Sequence, residues 1–123
     1  MIPMLRRRLQ SFAFAWRGMR VLVTTQGNAR IHLAVTVLVI ATGIALDVSR
    51  GEWLWLVGAI SAVWTAEAFN TAMEFLADEI SLEQRDRIGR AKDLSAAAVL
   101  STAIGAAVIG AMVFAPRLAA LLR

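Results

Sequence analysis

The chain has 123 residues, of which 59% are hydrophobic and 18% charged, against roughly half and about a quarter in a soluble domain. A chain this short keeps much of its surface exposed and has no interior for that excess, so a water-soluble monomer and a disordered chain are both excluded. Thirteen basic against 9 acidic residues leave a net charge of +4, with no cysteine and one histidine; disulfides and any cysteine or multi-histidine metal centre within one chain are ruled out.

The N-terminal segment predicts a surface helix over about residues 3–24. Leu5, Leu9, Phe12, Trp16, Met19 and Val23 recur at spacings of 4, 3, 4, 3 and 4, which on a helix is a single stripe. Arg6, Arg8, Arg17 and Arg20 flank it and Arg7 lies further round, the pattern of a helix lying in a membrane interface. No uncharged apolar run with a small-residue cleavage site follows the arginines promptly, so a removable signal peptide is not expected. Basic side chains beside long apolar runs point to a membrane surface rather than to nucleic acid.

Three apolar segments follow. The first runs from about Ile31 to Leu46. The second starts at Trp53, is uncharged to Ala66, and then carries Glu67, Glu74 and Asp78. The third runs without a charge from Leu94 to Ala115, where Pro116 is expected to stop it. These predict membrane helices over about 30–47, 52–80 and 90–115, and a single all-α membrane domain over 1–123. The Asp47–Glu52 turn holds one basic residue, whereas the N-terminal region and the polar Glu79–Lys92 stretch hold many. With three spans these two regions share a side, which the basic bias makes cytoplasmic.

Glu67, Asn70, Glu74 and Asp78 stand at i, i+3, i+7 and i+11 and span about 80° of a helix face. A carboxylate at mid-membrane costs at least about 2.5 kcal/mol, so the stripe faces a polar crevice, another subunit or a cation; Asp78 and Glu79 also suit a last turn that has left the membrane. A carboxylate pair with an amide suits Mg²⁺, and a second carboxylate suits a general base on a hydroxyl. Lys92, the one lysine beside twelve arginines, and Asp93 return across the loop to the Glu74–Asp78 end, where a cation would favour phosphoryl transfer. No GxxxxGK[ST] run is present, so this is not a P-loop. The same carboxylates would also suit a non-catalytic helix-bundle module, whose close packing the small residues at Ser95–Ala98 and Gly105–Gly110 would serve, or a small cation transporter.

The run Glu67-Ala-Phe-Asn70-Thr-Ala-Met-Glu74, then Asp78, then Gly89-Arg-Ala-Lys92-Asp93-Leu-Ser, with Trp16-Arg-Gly18 and Asn28-Ala-Arg-Ile-His32 ahead of it, resembles the small prokaryotic diacylglycerol kinase family, which includes undecaprenol kinases. The resemblance covers nearly the whole chain. It implies an interfacial helix, three transmembrane helices and a homotrimer in the bacterial cytoplasmic (inner) membrane, with the active site on the cytoplasmic side. It implies transfer of the γ-phosphate of ATP to a lipid hydroxyl with Mg²⁺. Glu67 would be the catalytic base, Asn70 would position lipid or phosphate, Arg20 would meet the lipid, and Glu74 would bind metal. Lys92 and Asp93 would meet the ATP phosphates, with Glu83, Gln84 and Arg85 near the nucleotide and Arg7, Phe14 and Arg17 approaching it from the surface helix. Where the family commonly places a second metal-ligating glutamate this chain has Gln26, which ligates through a neutral carbonyl or leaves the role to another carboxylate such as Asp78. His32 is expected at a helix start or lipid headgroup. The Asn28–His32 run and Asn70-Thr71 look closer to the undecaprenol kinases than to the diacylglycerol kinases.

Overall fold

A computed structural model describes residues 2–83 and 85–122, with side chains from residue 6 onward. Within these residues the chain forms four helices: α1 (Ile2–Thr25), α2 (Gly27–Ala45), α3 (Arg50–Ile80) and α4 (Asp86–Leu121). The apolar segments are helical because a backbone with no water around it must satisfy its own hydrogen bonds.

One extended residue, Gln26 (φ −100°, ψ 123°), separates α1 from α2. The α2–α3 turn is specified more tightly. Asp47 takes a left-handed conformation, φ 48°, which its short polar side chain tolerates better than most. Ser49 then caps α3: its Oγ accepts from Glu52 N at 3.3 Å, while Glu52 Oε2 accepts from Ser49 N at 2.7 Å. Each satisfies an amide that the first helical turn leaves free.

Pro116 does not stop α4, which runs on to Leu121. Proline removes one intrahelical hydrogen bond, but the next residue fastens the segment. The Arg117 guanidinium donates to Leu46 O at 3.0 Å, to Asp47 O at 3.1 Å and to the Glu52 carboxylate. It thus caps the end of α2 and pairs with the start of α3. The polar connection between α3 and α4 is short: α3 ends at Ile80 and α4 starts at Asp86.

α3 and α4 form an antiparallel hairpin with the most extensive contact of any helix pair; α2 packs on α3, and α1 on both α2 and α3. The buried apolar cluster of Val48, Leu56 and Val113, enclosed by Trp53 and Phe114 among others, sits at the α2–α3 turn. The carboxylates occupy the other end of the hairpin. Outside that cluster the helices point large apolar side chains outward, with Ile44 69%, Leu54 71% and Met112 73% exposed. α2 and α4 are each long and apolar enough to cross a membrane.

Candidate active site

The stripe of α3 faces inward. Glu67 is 1% exposed, Asn70 7% and Thr71 5%, and Glu74 is half-buried. Asn70 holds the stripe together: its Nδ2 donates to Glu74 Oε1 at 3.2 Å and its Oδ1 accepts from Ser95 Oγ at 2.8 Å. The single Ser95 hydroxyl hydrogen is shared between Asn70 Oδ1 and Lys92 O, also at 2.8 Å, which ties this part of α4 to α3. Lys92 Nζ donates to Asp78 Oδ1 at 2.7 Å.

Glu67 differs from its neighbours. Its Oε2 is buried without a hydrogen-bond partner among the described residues, and the imidazole Nε2 of His32 on α2 lies 3.8 Å from it. A short distance along the same helices, Trp64 Nε1 donates to Thr36 Oγ1 at 3.0 Å, which fixes the facing of α2 and α3. His32 therefore meets Glu67 rather than standing at a helix start, the place its sequence position suggested.

Two cavities meet at this point. A cleft of about 350 Å³ has one polar wall, formed by Asn28, His32, Asn70 and Glu74, and is otherwise lined by apolar residues of α2 and α4 as large as Ile31 and Leu100. An apolar groove of about 340 Å³ runs along α2, α3 and α4 past Val35, Leu56, Val63 and Phe114. Ile31, His32 and Ala103 line both. A third, mixed cleft of about 420 Å³ lies at the loop end, lined by Asp78, Ser81, Glu83, Arg85, Asp86 and Lys92.

The structure thus places Glu67, Asn70, Glu74 and Asp78 along one row of α3, with hydrogen bonds joining Asn70 to Glu74 and to Ser95, and Asp78 to Lys92. Glu83 and Arg85 join the Asp78–Lys92 cleft and pair with each other at 3.6 Å on the surface. Gln84 lies outside the described residues. Asp93 is exposed at the start of α4. Gln26 sits half-buried at the α1–α2 break, where its Nε2 donates to Thr25 Oγ1 at 3.2 Å. Arg7, Phe14, Arg17 and Arg20 are exposed along α1; the Arg17 guanidinium lies 5.4 Å from the centre of the Phe14 ring, within cation–π range. Arg17 also lines a cleft of about 440 Å³ between α1 and α3 that contains Thr71. Ser95 and the His32–Glu67 contact are additions to the residues read from sequence. Ser95 follows Lys92 by one helical turn, which was a usable signal; nothing in α2 alone marks His32.

The donors on the polar wall of the first cleft are oxygen-rich: the Glu74 carboxylate and the amide oxygens of Asn28 and Asn70. That chemistry fits Mg²⁺, which takes one or two carboxylates and completes its shell with water and phosphate. No cluster of three or more histidine, aspartate or glutamate side chains able to cage a metal occurs among the described residues, and a phosphate-shared Mg²⁺ does not call for one.

A family model described as prokaryotic diacylglycerol kinase matches residues 13–114, which include α2, α3 and most of α4. The chain belongs to the prokaryotic diacylglycerol kinase family. Within it, the chain is similar to the undecaprenol kinase of Bacillus subtilis (strain 168), 32% identical over 114 residues that cover 93% of each chain. It is similar to the diacylglycerol kinase of Escherichia coli (strain K12), 28% identical over 102 residues, 83% of this chain and 84% of the relative. A diacylglycerol kinase of Synechocystis sp. is 33% identical over 115 residues, 93% of this chain and 66% of the relative. The family match spans every residue of the row from Glu67 to Asp93.

Proposed function

We propose that this lipid kinase transfers the γ-phosphate of ATP to the hydroxyl of a long-chain membrane lipid, with Glu67 as general base. Membership of the family makes the chain a lipid kinase. The observation that carries the finer reading is the meeting of a cleft with one polar wall and an apolar groove at His32, beside the buried Glu67 carboxylate. A lipid alcohol has the matching shape: its chain suits the groove, and its hydroxyl then arrives at Glu67.

Membrane depth supports the same arrangement. Trp53 opens the apolar run of α3, and Glu67 lies fourteen residues further on, about 21 Å of helix rise. Glu74 comes at about 32 Å, the edge of a hydrocarbon core of about 30 Å. Glu67 is thus submerged, while Glu74, Asp78 and Lys92 reach the water side where a nucleotide arrives. We read α3 as a third span between α2 and α4. The end with Asp78 and Lys92 is cytoplasmic by its basic bias; at the opposite end Arg117 is neutralised by Glu52.

In the transfer, Glu67 takes the proton as the acceptor O–H bond breaks, and that oxygen bonds to the γ-phosphorus. The bond from the γ-phosphorus to its bridging oxygen breaks, its electron pair leaving on ADP. Lys92 would neutralise phosphate charge, and Glu83 and Arg85 would border the nucleotide with Gln84, Asp93, Arg7, Phe14 and Arg17. Asn70 and Arg20 would hold the acceptor. Mg²⁺, held by Glu74 with Gln26 or a cleft amide, supplies charge neutralisation on the phosphates when bound. The protein would work as a homotrimer in a bacterial cytoplasmic membrane. Undecaprenol is the favoured acceptor, from the Asn28–His32 run and a match over 93% of the Bacillus relative. In mixed micelles with ATP and Mg²⁺, phosphate should pass to undecaprenol in preference to diacylglycerol. Preference for diacylglycerol would reverse the acceptor assignment, and transfer to neither lipid by folded protein would remove the kinase reading.

A further inference from the structure

We propose that His32 is a positioning residue for Glu67, holding one carboxylate oxygen so that the other is presented to the acceptor hydroxyl; the proposal rests on the lipid-kinase reading above. Three features of the site converge on it. Glu67 Oε2 is buried and has no hydrogen-bond partner among the described residues. A carboxylate oxygen in that state is costly, and the cost is relieved by a donor. The imidazole Nε2 stands 3.8 Å away, a side-chain adjustment short of the usual hydrogen-bond range of about 2.7–3.2 Å. His32 also lines both the cleft with the polar wall and the apolar groove, so it sits where the chain of a lipid acceptor gives way to its head.

Several charged and polar groups near Glu67 are engaged elsewhere, while the Thr71 hydroxyl, one turn along α3, is itself buried without a hydrogen-bond partner among the described residues. Asn70, one turn along α3, is occupied by Glu74 and Ser95. Glu74 is itself a carboxylate and repels. Lys92 on α4 is bound to Asp78, and Arg17 on α1 lines the cleft behind Thr71. From α2 the His32 ring brings a nitrogen to 3.8 Å from Glu67 Oε2, and it can donate there in either charge state, because a neutral imidazole with its proton on Nε2 and an imidazolium both carry a hydrogen on that atom. With Oε2 held, the carboxylate loses its rotation about the terminal torsion, and Oε1 is fixed as the proton-accepting oxygen. Such preorganisation affects the chemical step more than substrate capture.

The test compares His32→Ala, His32→Leu and His32→Gln in the full-length protein in mixed micelles, with assembly checked by size exclusion. Leucine preserves volume without a donor, and glutamine restores a donor at similar reach. Loss of the donor should lower kcat by at least about tenfold while the KM for the lipid changes less than about threefold, and His32→Gln should recover most of kcat. In a Glu67→Gln background, His32→Leu should cause no further loss of the residual rate. Full kcat in His32→Leu, a raised lipid KM at unchanged kcat, or failure of His32→Gln to recover the rate in a correctly assembled protein would each overturn the proposal. The underlying reading fails separately, if the unaltered protein phosphorylates no lipid or if Glu67→Gln retains turnover.

Discussion

A carboxylate deep in a hydrocarbon layer persists in its charged form only if the fold turns it away from lipid. Here α3 turns Glu67 onto α2 and buries it almost completely, whereas the last acidic residue of the stripe, Asp78, stays at the surface and takes Lys92 as its partner. One stripe thus carries two environments, a shielded carboxylate and an exposed cation–carboxylate pair. The face shared by Glu67, Asn70, Glu74 and Asp78 was legible in sequence, because helical spacing fixes angular position within an element. The Lys92–Asp78 pairing was legible as well, because a short antiparallel connection returns the chain to the same end. At this scale the prediction concerns Lys92. Its ammonium, bonded to Asp78 at the mouth of the loop-end cleft, is the charge that would meet the ATP phosphates. Lys92→Ala should raise the KM for ATP by about tenfold and leave the KM for the lipid unchanged in a steady-state assay. An unaltered nucleotide KM would move the phosphate site elsewhere.

At the level of elements, the end of the bundle away from the carboxylates is where α2, α3 and α4 are locked to one another. The indole of Trp53 lies over Gly43; a methyl group at position 43 would stand 2.7 Å from the ring. Gly43→Ala should therefore destabilise the protein by about 1–3 kcal/mol through overpacking, despite alanine's better helix propensity. A lowered thermal midpoint in detergent checks this; an unchanged or raised one would mean that Trp53 swings aside freely. The boundaries at this end were only partly legible. The turn over Asp47–Glu52 was legible, although α3 already begins at Arg50, and the Ser49–Glu52 capping box follows from residue types alone. The continuation of α4 through Pro116 did not follow, because proline marks a local cost and the compensating bonds from Arg117 reach back to the α2–α3 turn. The His32–Glu67 contact was hidden for the same reason. Periodicity says which residues share a face of one helix, but not which residue of another helix stands opposite.

The whole molecule is organised by its two ends. The α2–α3 turn carries the apolar cluster and a neutralised arginine; the other end carries the carboxylates, the lysine and the basic surface helix. Between them the helices expose apolar side chains that only lipid or further copies of the chain can cover. On the proposed function, this polarity would bring a lipid alcohol from within the bilayer and a nucleotide from water to a common point, with the buried Glu67 where the two environments meet. The most direct test replaces that carboxylate with its neutral isostere. Glu67→Gln should assemble normally, bind ATP and lipid, and lose at least about a hundredfold in kcat for lipid phosphorylation. Turnover near that of the unaltered protein would contradict the assignment of Glu67 as the base and, with it, the account of the site.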